Sequence, residues 1–116
     1  MSLEGEQALL RIHLSNFARW HTGPLYEAIV EKARREHLSG ATVLAGVFGF
    51  VGHGPVLGLH PHALQVERPV VVEIVDREDA LRSFLQHIEP MLGGQGTLVT
   101  LERALVVHHR SGDAKR

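Results

Sequence analysis

Residues 24–51 read PLYEAIVEKARREHLSGATVLAGVFGFV, and within them the period of the apolar positions changes once. In the first half Leu25, Ile29 and Ala33, with Tyr26 and Val30 beside them, recur at the spacing that lays side chains along one stripe of an α-helix. Pro24 suits the first helical position because its missing N–H would be unpaired there in any case, and Glu31 and Arg35 sit one turn apart on the wet side. His37 to Gly40 ends the helix, with Ser39-Gly40 as the turn. Beyond it Ala41 to Val51 is β-branched and aromatic, with Val43, Ala45 and Val47 on one side and Leu44, Phe48 and Phe50 near the other. The spacing predicts a strand that is covered on both faces.

Working outward, Gln7 to Leu14 alternates as a pleated strand requires, and it is read as the first strand. Gly52 to His62 (GHGPVLGLHPH) holds glycines, prolines and histidines in a stretch too broken for regular structure and long for a hairpin turn, and such loops are commonly functional. Gln65 to Val75 resumes as a strand, its first part irregular or on an edge because Pro69 cannot donate to a ladder. Asp76 is the expected N-cap of a second helix carrying Leu81, Phe84, Leu85, Ile88 and Met91, which Pro90 should kink or end within a turn. Gly93-Gly94-Gln95-Gly96 is a tight connector, and Thr97 to His109 reads as one long or bulged strand, or two short ones.

The order β-α-β-β-α-β is that of the ferredoxin-like split βαβ fold, an α+β sandwich of an antiparallel four-stranded sheet with two helices on one face. All 116 residues fit a single domain, with a core over about 7–109 and a polar tail over 110–116. Two helices cover only one face of such a sheet, yet the second and fourth strands keep apolar residues on both. Self-association through the open face is the economical way to shield them.

Composition excludes several classes of function. Twelve Lys+Arg against thirteen Asp+Glu give a net charge of −1, which offers no broad electrostatic footprint for nucleic acid or an anionic membrane. With no cysteine there is no disulfide framework and no thiolate nucleophile. No run is long and apolar enough for direct membrane insertion, and residues 1–10 lack the basic and apolar regions of a signal peptide, so the cytoplasm is the expected location. A nucleophile with an adjacent base, a paired-carboxylate site and an open metal site were all sought, and no convincing set is present, so the chain is not read as an enzyme.

Two clusters remain as candidate chemistry. Gly93-Gly94-Gln95-Gly96 offers successive backbone N–H groups that could cradle an anion, although a helix C-cap and turn would use the same glycines. His53, His60 and His62 lie together in the loop and could ligate a divalent metal, although His60-Pro61-His62 lacks the helical spacing and carboxylates of a strong zinc motif. Glu73, Glu102 and Arg103 stand among apolar strand neighbours, where an ion pair at a rim or interface is the commoner fate. His108 and His109 alternate on the last strand, and Trp20, Tyr26 and Phe17 are expected to pack the core or a subunit contact.

The runs Arg19 to Val30 (RWHTGPLYEAIV) and Leu38 to Phe50 (LSGATVLAGVFGF) strongly resemble domain-of-unknown-function family 190, a PII-like group, and 69–76 (PVVVEIVD) and 96–102 (GTLVTLE) look like its third and fourth strands. The resemblance covers roughly residues 7–109. It implies a homotrimer with lateral clefts that bind an adenine nucleotide or other small anion, no cofactor being required. It implies also a partner, a membrane transporter or an enzyme, engaged through the 52–62 loop. Carried onto this chain, the ligand-binding positions are Gly49, Gly52, His53 and Gly54 at the loop base, Gly93, Gly94, Gln95 and Gly96 in the connector, and the basic residues Arg103 and Arg110. Between Arg35 and Arg68 the chain has no Lys or Arg, so a polyphosphate at the loop base lacks its usual charge-assisted contacts. The alternative is a trimeric divalent-metal-binding protein using His53, His60 and His62, similar to the cation-tolerance proteins of the same fold.

Overall fold

The computed structural model describes residues 2–58 and 66–112. Its main sheet has four strands, β1 (Gly5–Ser15), β2 (Thr42–Ala45), β3 (Pro69–Asp76) and β4 (Leu98–Val106), with helices α1 (Leu25–Arg35) and α2 (Glu78–Leu92) between them. The spatial order is β2-β3-β1-β4, all neighbours antiparallel, so the two longest ladders flank β1. This is the α+β arrangement expected from the element order.

Alternation along β1 and β3 divides the sheet into two faces. Ala8, Leu10, Ile12 and Leu14 pair with Asp76, Ile74, Val72 and Val70, and the apolar members of that set form one buried cluster with Leu25, Ile29 and Ala33 of α1 and Leu81, Phe84 and Ile88 of α2. The helix stripes read from sequence are therefore the ones that face the core. α1 carries Glu27 in its first turn and Lys32, Arg34 and Arg35 in its last, complementing the helix dipole. It stops in a Schellman turn, in which His37 N–H donates to the Arg34 carbonyl and Leu38 N–H to that of Ala33 (each 3.1 Å), with His37 itself left-handed at φ 60°.

Several local expectations are corrected. Residues 41–51 do not form one strand covered on both faces: β2 ends at Ala45, and Phe48–Gly49 turns away to pair with Leu57–Gly58 in a separate hairpin. At the break Gly46 N–H donates to the Pro69 carbonyl (2.7 Å), and a Cβ on Gly46 would stand 2.9 Å from the Pro69 ring, so only glycine lets the chain pass there. Asp76 is the last residue of β3 and not a helix cap; its carboxylate accepts N–H bonds from Ser39 and Arg77, each 2.8 Å, while Arg77 occupies the cap position without a side-chain bond. Pro69 opens β3, an interior strand, at the one place where a missing donor is tolerated. α2 runs two residues past Pro90 and ends at Leu92, and β4 is a single strand that stops at Val106, leaving His108 and His109 beyond it.

On the face away from the helices, cross-strand pairing lines up Leu44, Val71, His13 and Leu98 in one row and Thr42, Glu73, Arg11 and Thr100 in the next. Arg11 bridges three strands, its Nε donating to Glu73 at 2.8 Å and its Nη1 to Glu102. The hydrogen bond to Glu73 raises the guanidinium pKa above its already high ordinary value; burial opposes it, and the hydrogen bond to Glu102 adds to the rise. Leu44 is 48% and Leu98 56% exposed, so this face carries uncovered apolar surface around a charged centre.

Candidate functional site

Three segments distant in sequence converge at one end of the sheet. The chain leaving β1 supplies Ser15, Phe17 and Ala18, the hairpin supplies Val51, His53, Gly54, Pro55 and Leu57, and the connector before β4 supplies Gln95 and Gly96. With Glu67 they line a cavity of about 450 Å³, within the range of small-molecule sites. The hairpin closes onto the connector through its backbone: a Cβ on Gly52 would lie 3.5 Å from the Gly96 Cα, and one on Gly96 3.5 Å from the Val51 carbonyl oxygen. The loop base and the glycine connector thus share one wall.

Ser15, Gln95 and Asn16 around the cavity each have defined hydrogen-bond partners. Ser15 Oγ accepts the Phe17 N–H (3.0 Å) and donates to Glu67 Oε2 (2.6 Å). Gln95 is spent on structure, its Oε1 accepting the Arg19 N–H at 2.9 Å and its Nε2 donating to the Met91 carbonyl at 3.0 Å. Asn16 ties the entry of β3 to the exit of β1, accepting from Arg68 N–H and donating to the Val66 carbonyl. Phe17 does not pack into the core as Trp20 and Tyr26 do; it is 49% exposed and forms part of the cavity wall.

Of the residues expected to bind ligand, Gly52, His53, Gly54, Gln95 and Gly96 come together here, and Gly49 stands in the adjoining hairpin pair. Gly93 and Gly94 form the turn leaving α2, with Gly94 left-handed at φ 76°. Arg103 and Arg110 do not join them. Arg103 pairs with Ala8 five residues along β4 from Leu98, about 17 Å at the usual strand rise, beside Glu6, Gln7 and Glu78. Arg110 lines a cavity of about 390 Å³ with His109, Ser39 and Asp76, and this adjoins one of about 620 Å³ that Arg34 lines. Within one chain the cations and the glycines occupy opposite ends.

Sequence reasoning missed Ser15 and Glu67. The only sign of them was their position at the exit of the first strand and the entry of the third, neighbours once those strands pair. Among the described residues there is no group of three or more His, Cys, Asp or Glu placed to hold a metal ion. Of the proposed loop ligands His53 lies at the cavity, while His60 and His62 are outside the described residues. No helix among the described residues is long and apolar enough to cross a membrane.

The split-βαβ sheet with its two helices has the PII-like fold, and solved structures agree on that fold. CPII of Thiomonas intermedia K12, a nitrogen regulatory PII-like protein bound to ADP, AMP and bicarbonate, superimposes with a TM-score of 0.68 at 15% identity over 89% of this chain and 90% of that one. A protein of Thermus thermophilus, proposed as a PII-like signalling protein, gives 0.63 at 17% identity over 89% and 91%. The chain belongs to the DUF190 family, described as "Uncharacterized ACR, COG1993", whose model matches residues 7–106. A UPF0166 protein of Aquifex aeolicus is 34% identical over 106 residues, 89% of this chain and 95% of its own length. Another from Methanocaldococcus jannaschii is 29% identical over 91 residues, 78% and 83%.

Proposed function

We propose that this chain is a regulatory protein of the PII-like kind, which assembles as a homotrimer and binds a small-molecule effector, a nucleotide or other small anion, in the cleft between copies. The observation that carries the reading is the cavity of about 450 Å³ in which the hairpin turn and the glycine connector meet. A ligand seated there touches both segments at once, so its presence bears on whether the hairpin is held. That hairpin is a reporter: Val47, Phe48, Phe50 and Val56 are 61–70% exposed, an apolar surface available to a protein partner, a transporter or an enzyme.

Assembly supplies what one chain lacks. Among the described residues the cavity is lined by Glu67 and by no Lys or Arg, whereas the other end presents Arg34, Arg110, His37 and His109 around its two cavities. Opposite ends that complement one another make a head-to-tail contact, and a head-to-tail contact that closes gives a ring. In such a ring Arg110 of a neighbouring copy reaches the cleft, while the uncovered sheet faces meet inside. The decisive experiment is native mass spectrometry with a thermal-shift panel of adenosine phosphates and bicarbonate, with limited proteolysis of residues 46–58 in parallel. Trimers, a shift with at least one ligand and protection of the hairpin are expected; a monomer with no shift across the panel overturns the reading.

A further inference from the structure

We infer that the cavity selects a nucleoside-type ligand carrying at most one phosphate and rejects di- and triphosphates, with Glu67 as the residue that sets this limit. The inference rests on the effector site proposed above and narrows its ligand class. Polyphosphates are held by Lys and Arg, by bound cations, or by backbone N–H nests free of opposing negative charge. The wall here has the reverse polarity. Its ionisable lining side chains, among the described residues, are Glu67 and His53, and the sequence from 36 to 67 contains neither Lys nor Arg. Arg19, whose backbone is tied to Gln95 beside the cavity, turns its guanidinium to the Thr22 carbonyl at 2.8 Å, and neither it nor Arg68 is part of the lining.

What the wall does offer is an acceptor. The relay from Phe17 N–H through Ser15 Oγ fixes Oε2 of Glu67 and leaves the other oxygen without a hydrogen bond to the described residues. An ionised carboxylate of this kind pairs with a hydroxyl or amino group and repels a phosphate. Phe17, Ala18, Pro55 and Leu57 give an apolar surface on which a flat base can lie. A sugar hydroxyl or an exocyclic amine on Glu67, a base on the apolar wall and one negative charge directed away toward a neighbouring copy match the carboxylate and the apolar wall. A chain of two or three phosphates places further negative charge that the few cations of the neighbour must balance alone.

The test is isothermal titration of the full chain with adenosine, AMP, ADP and ATP in magnesium-free buffer, repeated for Glu67→Gln and Glu67→Lys. AMP is expected to bind at least tenfold more tightly than ATP, and both variants to narrow or invert that ratio by about tenfold. Circular dichroism and the melting temperature establish that the variants fold, and Ser15→Ala, which frees the carboxylate without removing its charge, keeps the preference for AMP. ATP binding as tight as AMP to the unaltered protein, or a ratio untouched by both Glu67 variants, overturns the inference and leaves the effector site standing. If none of the four binds while bicarbonate still shifts the melt, the nucleoside class is wrong. If nothing in the panel binds, the inference falls together with the site.

Discussion

His37 is, with His21, one of two non-glycine residues among the described residues whose backbone is left-handed. It holds the left-handed C′ position of the α1 Schellman turn, where a side chain costs about 1–2 kcal/mol and glycine nothing. His37→Gly is accordingly expected to raise stability by about 1 kcal/mol in urea denaturation, with the gain reduced by the freedom glycine adds to the unfolded chain. Gly58 shows the converse. At φ 116° a Cβ would fall onto the Val47 carbonyl oxygen, so Gly58→Ala should open the hairpin and speed proteolysis within 46–58 while the melting of the core stays nearly unchanged. Arg11 decides the centre of the open face. Because its pKa is raised, what the pairing contributes is present in full below the ordinary guanidinium value and lost only as pH climbs through the raised one. Between about pH 6 and 9 the Arg11 side of the pairing should show no pH dependence, whereas Arg11→Met strands Glu73 and Glu102 near each other and should lower the melting temperature more than Glu73→Gln does.

Among the elements, the two helices were legible because their cores are set by period alone: Leu25, Ile29 and Ala33, and Leu81, Phe84 and Ile88, are the buried positions of each. Phe84 is fully buried at the junction of α2 with the sheet, and Phe84→Ala is expected to cost about 3–5 kcal/mol in a two-state denaturant titration. The strands were legible in type but not in extent. Val47, Phe48 and Phe50 continue the composition of a strand, and no local signal marks the end of β2. What ends it is Gly46 pressed against Pro69, a contact between residues brought together only when β3 pairs with β2. Asp76 was misread for the same reason: its strongest local preference is a helix cap, but the Ser39 amide reaches it from across the fold.

For the molecule as a whole, the uncovered sheet face carries the main consequence. Leu44 and Leu98 stand at the two ends of one cross-strand row, with Val71 and His13 between them. The double substitution Leu44→Glu, Leu98→Glu should convert the proposed trimer to monomers in sedimentation velocity while the circular dichroism spectrum keeps its α+β shape; retained trimers would place the contact elsewhere. By itself the sequence determined the element order, the helix stripes, the alternation of the first strand and the family, since these follow from local period and from residues adjacent along the chain. The tertiary structure alone decided that Ser15 and Glu67 meet, that Gly52 closes on Gly96, and that Arg103 and Arg110 stand at the far end from both. Such proximities depend on which strands pair and in what register, and no neighbouring residue in the chain encodes that pairing.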